Sequence, residues 1–478
     1  MRKNPRITLT LDCMVGGGQA MGTAPDGRKC FVWGGLPGET VEVQVTKRKS
    51  KLLEGYVTEV ISASPERIAP VDPGSYLSTS PWEIMTFAAE QHYKSALIEE
   101  AFELHNIVLP SPIDLYTDNR TARYRNKVEF SWYGHAAANA SDLFSETLSP
   151  STPSGVTGGS EKTVRAMAAA TLSQLDLAFF RRGSKGKVIV DDCSLLPQPM
   201  VQLAHAVRDL LQSKGVEARQ LKTLLIRCDQ SGACVWQLYI KDEIPNLILE
   251  AEAAALPGQG GEVIYSDPRS PASRITKRLA SFGTTVLTDT ILGVPFSYAT
   301  EGFFQVNIPV YEQALRDMRT WVDDQITNGP DNLPILDLYS GVGSIGLTIG
   351  GSEVTLVEIN EDAVREMRRN IATLGREATA SAILAPSEKA LDYITSDMIV
   401  IVDPPRAGLH ADVVARLLQT TPPRIIYLSC NPVTQARDVA LLSAAYGIRA
   451  HRGYNFFPRT PHIEHLVVLD LLPPARVS

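Results

Sequence analysis

The chain has 478 residues, 44% of them hydrophobic and 21% charged, a composition that fits two to four folded domains. No apolar run approaches about 18 residues, which excludes a transmembrane helix, and the charged Met1-Arg2-Lys3 start has no apolar stretch behind it, against a signal peptide. The net charge of −7 argues against a uniformly basic nucleic-acid binder, although residues 1–60 carry a local balance of +3. Six cysteines (Cys13, Cys30, Cys193, Cys228, Cys234 and Cys430) are scattered without a Cys-x-x-Cys pair. That pattern points to reduced thiols in the cytoplasm, not to a disulfide framework or a zinc site.

Residues 5–66 read as short strands. Ile7 to Leu11 alternates, Gly16-Gly17-Gly18 and Asp26-Gly27 mark turns, and Thr40 to Val45 is a clean period-2 run. The basic Lys47-Arg48-Lys49-Ser50-Lys51 follows it, and Gly55 to Ile61 closes a small β-barrel of the kind that binds oligonucleotides. Residues 82–107 have helical periodicity, and a strand is expected from Arg123 to Phe130. Residues 135–163, rich in Ala, Ser, Gly, Thr and Pro, read as a flexible insertion.

From about residue 300 the pattern turns to βαβ. Pro334 to Tyr339, Val354 to Glu358, Met398 to Asp403 and Ile425 to Leu428 are apolar strands with helical runs between them, the pattern of a parallel, doubly wound sheet. Gly341-x-Gly343-x-x-Gly346 follows a strand and opens a helix, as a nucleoside-cofactor loop requires, and Glu358 ends the next strand, where a carboxylate accepts from ribose hydroxyls. Asp403-Pro404-Pro405-Arg406 is a stiff strand-end loop. Cys430 follows a buried strand and precedes Asn431-Pro432, whose proline breaks the ladder. Glu464 stands two residues from apolar strand positions, so burial there would raise its pKa and suit it to proton transfer.

These residues closely resemble the S-adenosylmethionine-dependent RNA uracil-5-methyltransferases. The resemblance is carried by Gly302-Phe303-Phe304-Gln305-Val306-Asn307, Asp337-Leu338-Tyr339-Ser340-Gly341-Val342-Gly343, Asp403-Pro404-Pro405-Arg406-x-Gly408-Leu409, Ser429-Cys430-Asn431-Pro432 and Phe457-Pro458-x-Thr460-x-His462-x-Glu464. It implies an α/β architecture in three parts. A TRAM/OB-like RNA-binding β-barrel spans 1–68. A central α+β domain spans 75–299, with part of 95–120 packing on the catalytic domain. A Rossmann-like class I methyltransferase domain spans 300–478. It makes Cys430 the nucleophile and Glu464 the base, with Gln305, Tyr339, Gly341, Ser344, Glu358 and Asp403 around the cofactor, S-adenosyl-L-methionine. Many members of the family hold a four-iron, four-sulfur cluster on four cysteines. Here only Cys193 matches, Ser75 to Trp82 occupies the stretch of the other three, and no cluster and no other metal is expected. Packing around Tyr76, Trp82 and Met85 is expected to replace it.

The expected reaction is addition of the Cys430 thiolate to uracil C6, methylation at C5, and loss of the C5 proton to Glu464. It calls for a lowered thiol pKa or a local base. The target base would flip out of its stack, with Phe456, Phe457 or Phe304 available to stack on it. The expected partner is RNA, 23S ribosomal RNA first and the tRNA T-loop as the alternative. A cytosine-5 or amino-group methyltransferase and a catalytically silent RNA-binding protein are the further competing readings. The chain is expected to act as a monomer, with no membrane partner.

Overall fold

The computed structural model describes residues 5–134, 174–183, 186–328, 333–351 and 353–473, and the expected insertion at 135–163 lies outside them. The chain forms two compact units, residues 1–125 with 286–478, and residues 126–285.

The first unit begins with β1 (Arg6–Met14), β2 (Ala20–Thr23), β3 (Lys29–Trp33), β4 (Thr40–Arg48) and β5 (Leu52–Ser62), closed into a barrel in the order β1-β2-β3-β5-β4. Alternation in β4 sends Val41, Val43 and Val45 inward, the pattern that builds a barrel core. At its end Lys47 pairs with Glu54 at 2.8 Å in the open. Two helices follow, α1 (Tyr76–Thr79) and α2 (Phe87–Glu103). The Thr86 hydroxyl caps α2 by accepting from the Ala89 N–H. The short β6 (Leu115–Tyr116) comes next.

The second unit is contiguous in sequence. It holds β7 (Lys127–Gly134), β8 (Leu175–Phe180), β9 (Lys187–Ile189), α3 (Gln198–Ser213), β10 (Leu221–Cys228), β11 (Cys234–Ile240), α4 (Glu250–Ala255), β12 (Gly260–Tyr265) and β13 (Lys277–Gly283). Its sheet runs β13-β12-β11-β10-β7-β8-β9. The strand expected from Arg123 begins only at Lys127. Arg123 sits at φ +54°, a left-handed conformation that interrupts an extended run. Cys193 is buried in this unit. Among the described residues no group of three or more His, Cys, Asp or Glu is placed to hold a metal ion.

The chain then returns to the first unit with the hairpin β14 (Val286–Ile291) and β15 (Val294–Ala299). It continues through α5 (Ile308–Asn328), β16 (Ile335–Leu338), α6 (Ser344–Ile349), β17 (Val354–Glu358), α7 (Glu361–Thr373), β18 (Ala380–Leu384), β19 (Ile399–Val402), α8 (Ala411–Thr420), β20 (Arg424–Ser429), α9 (Pro432–Leu442), β21 (Tyr446–Tyr454) and β22 (Glu464–Leu471). The hairpin belongs here, whereas the boundary read from sequence fell after it, at 299/300. The reason is local: Asn370 of α7 bonds both the N–H and the C=O of Ser297, at 2.9 and 3.2 Å.

The sheet order is β18-β17-β16-β19-β20-β22-β21-β6. The first five strands are parallel, and β22 runs antiparallel between β20 and β21. β16, β19 and β20 are buried at every position and mostly apolar, as parallel strands covered by helices must be, and β19 is apolar throughout. This is the Rossmann-like sheet expected from the sequence. The early β6 adds to its edge by parallel pairing with β21. No described helix is long and apolar enough to cross a membrane.

Candidate active site

The carboxyl ends of β17, β16, β19 and β20 lie along one edge of the sheet, where open α/β sheets bind ligands. Register fixes what stands there. Leu338 pairs with Val357 and Val402, and Val402 with Tyr427, so Glu358, Tyr339, Asp403 and the segment leading to Cys430 are neighbours at one level. The antiparallel ladder of β20 and β22 ends at Ser429 opposite His465. Cys430 follows Ser429 and Glu464 precedes His465, so the two stand just past the end of that ladder, near enough for the Glu464 charge to act on the Cys430 thiol.

On the cofactor side, the chain leaves β16 in a turn of positive-φ residues, Tyr339 at +65°, Gly341 at +57° and Gly343 at +86°. A Cβ at Gly341 would meet nothing within 4 Å, so the turn has open space over it. Glu358 holds the turn, accepting from the Gly341 N–H at 2.9 Å through one carboxylate oxygen and from the Asn360 N–H at 2.8 Å through the other. The Ser344 and Tyr311 hydroxyls bond at 2.8 Å, tying the turn to α5. The Tyr339 hydroxyl accepts from Ser387 at 2.7 Å. Gln305 is buried just before α5. Asn307, fully buried, has no hydrogen bond to either side-chain amide atom, and one oxygen of buried Asp337 is also unpaired, while its other accepts from the Gly346 N–H at 2.9 Å. An open glycine turn flanked by unpaired polar atoms fits a nucleoside ligand with many hydrogen-bonding groups.

The electrostatics differ from the expectation for Cys430. Burial, then the charges of Glu464 and Asp403, push its thiol up to about 11, and Arg406 opposes them. The isolated site therefore holds a thiol, not a thiolate. Burial, and then Asp403, raises Glu464 well above the usual carboxylate range, again opposed by Arg406. Burial lifts Asp403 to about 7. Burial likewise lifts Asp337 to about 8, against the Gly346 N–H bond that lowers it. Three acidic groups crowd one poorly solvated edge, each protonated more readily than in water. The Arg406 charge acts on Cys430 and Glu464, and its guanidinium also bonds His462 Nδ1 at 3.0 Å.

Two aromatic expectations do not hold. Phe304 is buried and stacked on Tyr298 with ring centroids 4.1 Å apart, and Phe456 is fully buried. Phe457 packs edge-on against His462. The exposed ring is Phe303, at 68%. Sequence reading also missed two supports on α9. Gln435 donates to the carbonyls of Tyr427 and His465, joining β20 to β22, and Asp438 accepts from the Leu409 N–H and the Tyr427 hydroxyl, fixing the Asp-Pro-Pro-Arg loop. Their signal was faint: polar residues at positions of α9 that proved buried.

A family model described as tRNA (Uracil-5-)-methyltransferase matches residues 386–471, and the TRAM domain model matches residues 16–58. An uncharacterized RNA methyltransferase of Porphyromonas gingivalis is 29% identical, over 92% of this chain and 94% of its own length. The 23S rRNA (uracil(1939)-C(5))-methyltransferase RlmD of Halomonas elongata is 25% identical, over 97% of this chain and 89% of its own. The crystal structure of Pyrococcus abyssi tRNA (uracil-54, C5)-methyltransferase, in complex with S-adenosyl-L-homocysteine, superposes with a TM-score of 0.71 at 19% identity, covering 97% of this chain and all of that one. Over nearly its whole length the chain is similar to S-adenosylmethionine-dependent RNA uracil-5-methyltransferases, and it carries a TRAM domain at its N-terminal end.

Proposed function

We propose that this protein methylates C5 of a uridine in 23S ribosomal RNA through a covalent Cys430–C6 adduct. The observation that supports the reading is that Cys430 and Glu464 both stand just past the Ser429–His465 pair, at the same end of the sheet as the Gly341 turn, with the Glu464 charge acting on the thiol. Ribosomal RNA is favoured by the near full-length similarity to the Halomonas enzyme and by the TRAM domain. The tRNA T-loop is the second reading, favoured by the Pyrococcus enzyme of the same fold. The protein works in the cytoplasm as a monomer without an iron–sulfur cluster, consistent with its scattered cysteines.

Gln305, Tyr339, Gly341, Ser344, Glu358 and Asp403 would hold S-adenosylmethionine. Glu358 has carboxylate lone pairs left for ribose hydroxyls, and the Gly341 turn admits the ligand close to the backbone. When bound, S-adenosylmethionine supplies an electrophilic methyl group.

A thiol at about 11 spends about 5 kcal/mol to ionise at pH 7, so attack couples to proton loss. The thiol proton passes to Asp403, which near pH 7 is substantially charged. The Cys430 Sγ–C6 bond forms as the C5=C6 electron pair moves toward C4–O4, and Arg406 steadies the developing negative charge. C5, now electron-rich, takes the methyl group. Glu464 then removes the C5 proton, C5=C6 re-forms, and the C6–S bond breaks to release Cys430. The same burial that raises Glu464 makes it a strong base once ionised. Phe303, exposed beside Gln305, offers a stacking face for the flipped base or its neighbour.

The test is transfer of labelled methyl to separated ribosomal RNA and tRNA lacking 5-methyluridine, with Cys430→Ala alongside. Label in 5-methyluridine of ribosomal RNA, from the wild type alone, is the expected result. Label only in tRNA would move the substrate, and label in 5-methylcytidine would overturn the base assignment.

A further inference from the structure

The loop between β21 and β22 carries His462 and ends at Glu464. It is gripped from outside the catalytic sheet. Both carboxylate oxygens of Glu90 accept from the Arg459 N–H at 3.0 Å, and Asn455 donates to Glu90 at 2.9 Å. The Lys94 ammonium, fully buried, reaches Glu90 at 3.0 Å, the Asn455 side-chain oxygen at 2.7 Å and the Phe457 carbonyl at 3.1 Å. The Trp82 N–H donates to the Arg459 carbonyl at 3.1 Å. Arg459 itself is held at φ +64°, an uncommon conformation that its surroundings must maintain.

The grip extends to the barrel. The Trp82 indole N–H donates to the Gly18 carbonyl at 2.9 Å, and a Cβ at Gly18 would lie 2.1 Å from Pro461 Cβ. The β1–β2 turn therefore touches the loop directly, three residues before Glu464. Only glycine permits that contact. Gly17, its neighbour, has the same φ of +92°, but a Cβ there would meet nothing within 4 Å.

We propose that Gly18 and Trp82 are positioning residues for the proton-removal step: the barrel seats the loop that presents Glu464, and so takes part in turnover as well as in holding RNA. The inference rests on the assignment of Glu464 as the base. If that base is displaced, C5 methylation still occurs but the C5 proton stays, and the enzyme remains covalently joined to methylated RNA.

The experiment compares Gly18→Ala, Gly17→Ala, Trp82→Phe and Glu464→Gln in the full-length protein. It measures RNA affinity, kcat, and the share of enzyme in a denaturant-resistant conjugate carrying labelled methyl. Gly17→Ala and Gly18→Ala introduce the same backbone strain into the same turn, so their difference isolates the contact with Pro461. Gly18→Ala is expected to lose about 10²-fold in kcat, the scale of an ångström-sized misplacement, with RNA affinity matching Gly17→Ala and with conjugate accumulating as in Glu464→Gln. Trp82→Phe keeps an aromatic ring, removes the bond to Gly18 and should change in the same direction. Equal kcat and equal conjugate in Gly17→Ala and Gly18→Ala would overturn the proposal. If Glu464→Gln itself traps no methylated conjugate, the base assignment falls, and the proposal with it, whatever the glycine variants do.

Discussion

Replacing Lys94 by Met tests how much the buried pair on α2 stabilises the first unit. Lys94 and Glu90 are both fully buried, and Met keeps the length of the lysine stem while removing its charge. Glu90 then stays behind as a buried anion that has lost its nearer cation. Breaking such a pair from one side costs about 3–5 kcal/mol. Glu90 keeps the Arg459 N–H, the Asn455 amide and the Arg459 guanidinium at 3.8 Å, which places the expected loss near ~3 kcal/mol. Urea unfolding followed by tryptophan fluorescence reads it, since Trp82 sits with its ring 5.8 Å from the Lys94 nitrogen. The decisive comparison is the double variant Lys94→Met with Glu90→Leu, which removes both charges. It should recover most of the stability. A double variant as unstable as the single one would refute the argument from uncompensated charge.

The remaining predictions concern charge and stacking. Cys430, Glu464 and Asp403 are all raised, and in the proposed mechanism all act deprotonated at some step, so kcat/KM should climb with pH through 7 and keep climbing into the alkaline range; a profile that falls above pH 7 would contradict this. Asp337, at about 8 in the folded chain and near 3.8 unfolded, holds a proton that the unfolded chain lacks between those values, so its contribution to stability is full below about pH 4 and is lost as pH rises to 8. Asp337→Asn should flatten that decline, measured by denaturation between pH 5 and about 9. Phe303→Ala should weaken RNA binding by about 1–3 kcal/mol, seen as a raised Kd with little change in cofactor affinity. Cys430→Ala should yield neither product nor conjugate with labelled RNA.

Much of the architecture was legible because it is written in period and punctuation. Val41, Val43 and Val45 announce a barrel strand by alternation alone, and Ile399 to Val402 a buried parallel strand by its lack of it. The glycine turn announces itself by residue types needed where φ is positive. What stayed hidden depends on approach between distant segments. Nothing local to Glu90 or Lys94 distinguishes them from a solvated i, i+4 pair, and the partners that meet them in the interior, Asn455 and Arg459, come more than 360 residues later. The Cys430 pKa was hidden for a related reason. Its direction follows from the burial and the two carboxylates that the sheet assembles around it, not from its own flanks.

The bond between Glu90 and Arg459 spans 369 residues of chain. A ribosome adding about 5–20 residues per second takes about 20–70 s to make the second partner after the first. During that interval the barrel and α2 are out in the open with a carboxylate and an ammonium that have only each other, while residues 126–285, whose strands pair among themselves, have all they need to fold. The catalytic centre is thus among the last things this chain completes. On the proposed mechanism, a nascent or truncated copy has the barrel without a seated base loop, and early release from synthesis produces an inert protein rather than one that attacks RNA and stays bonded to it.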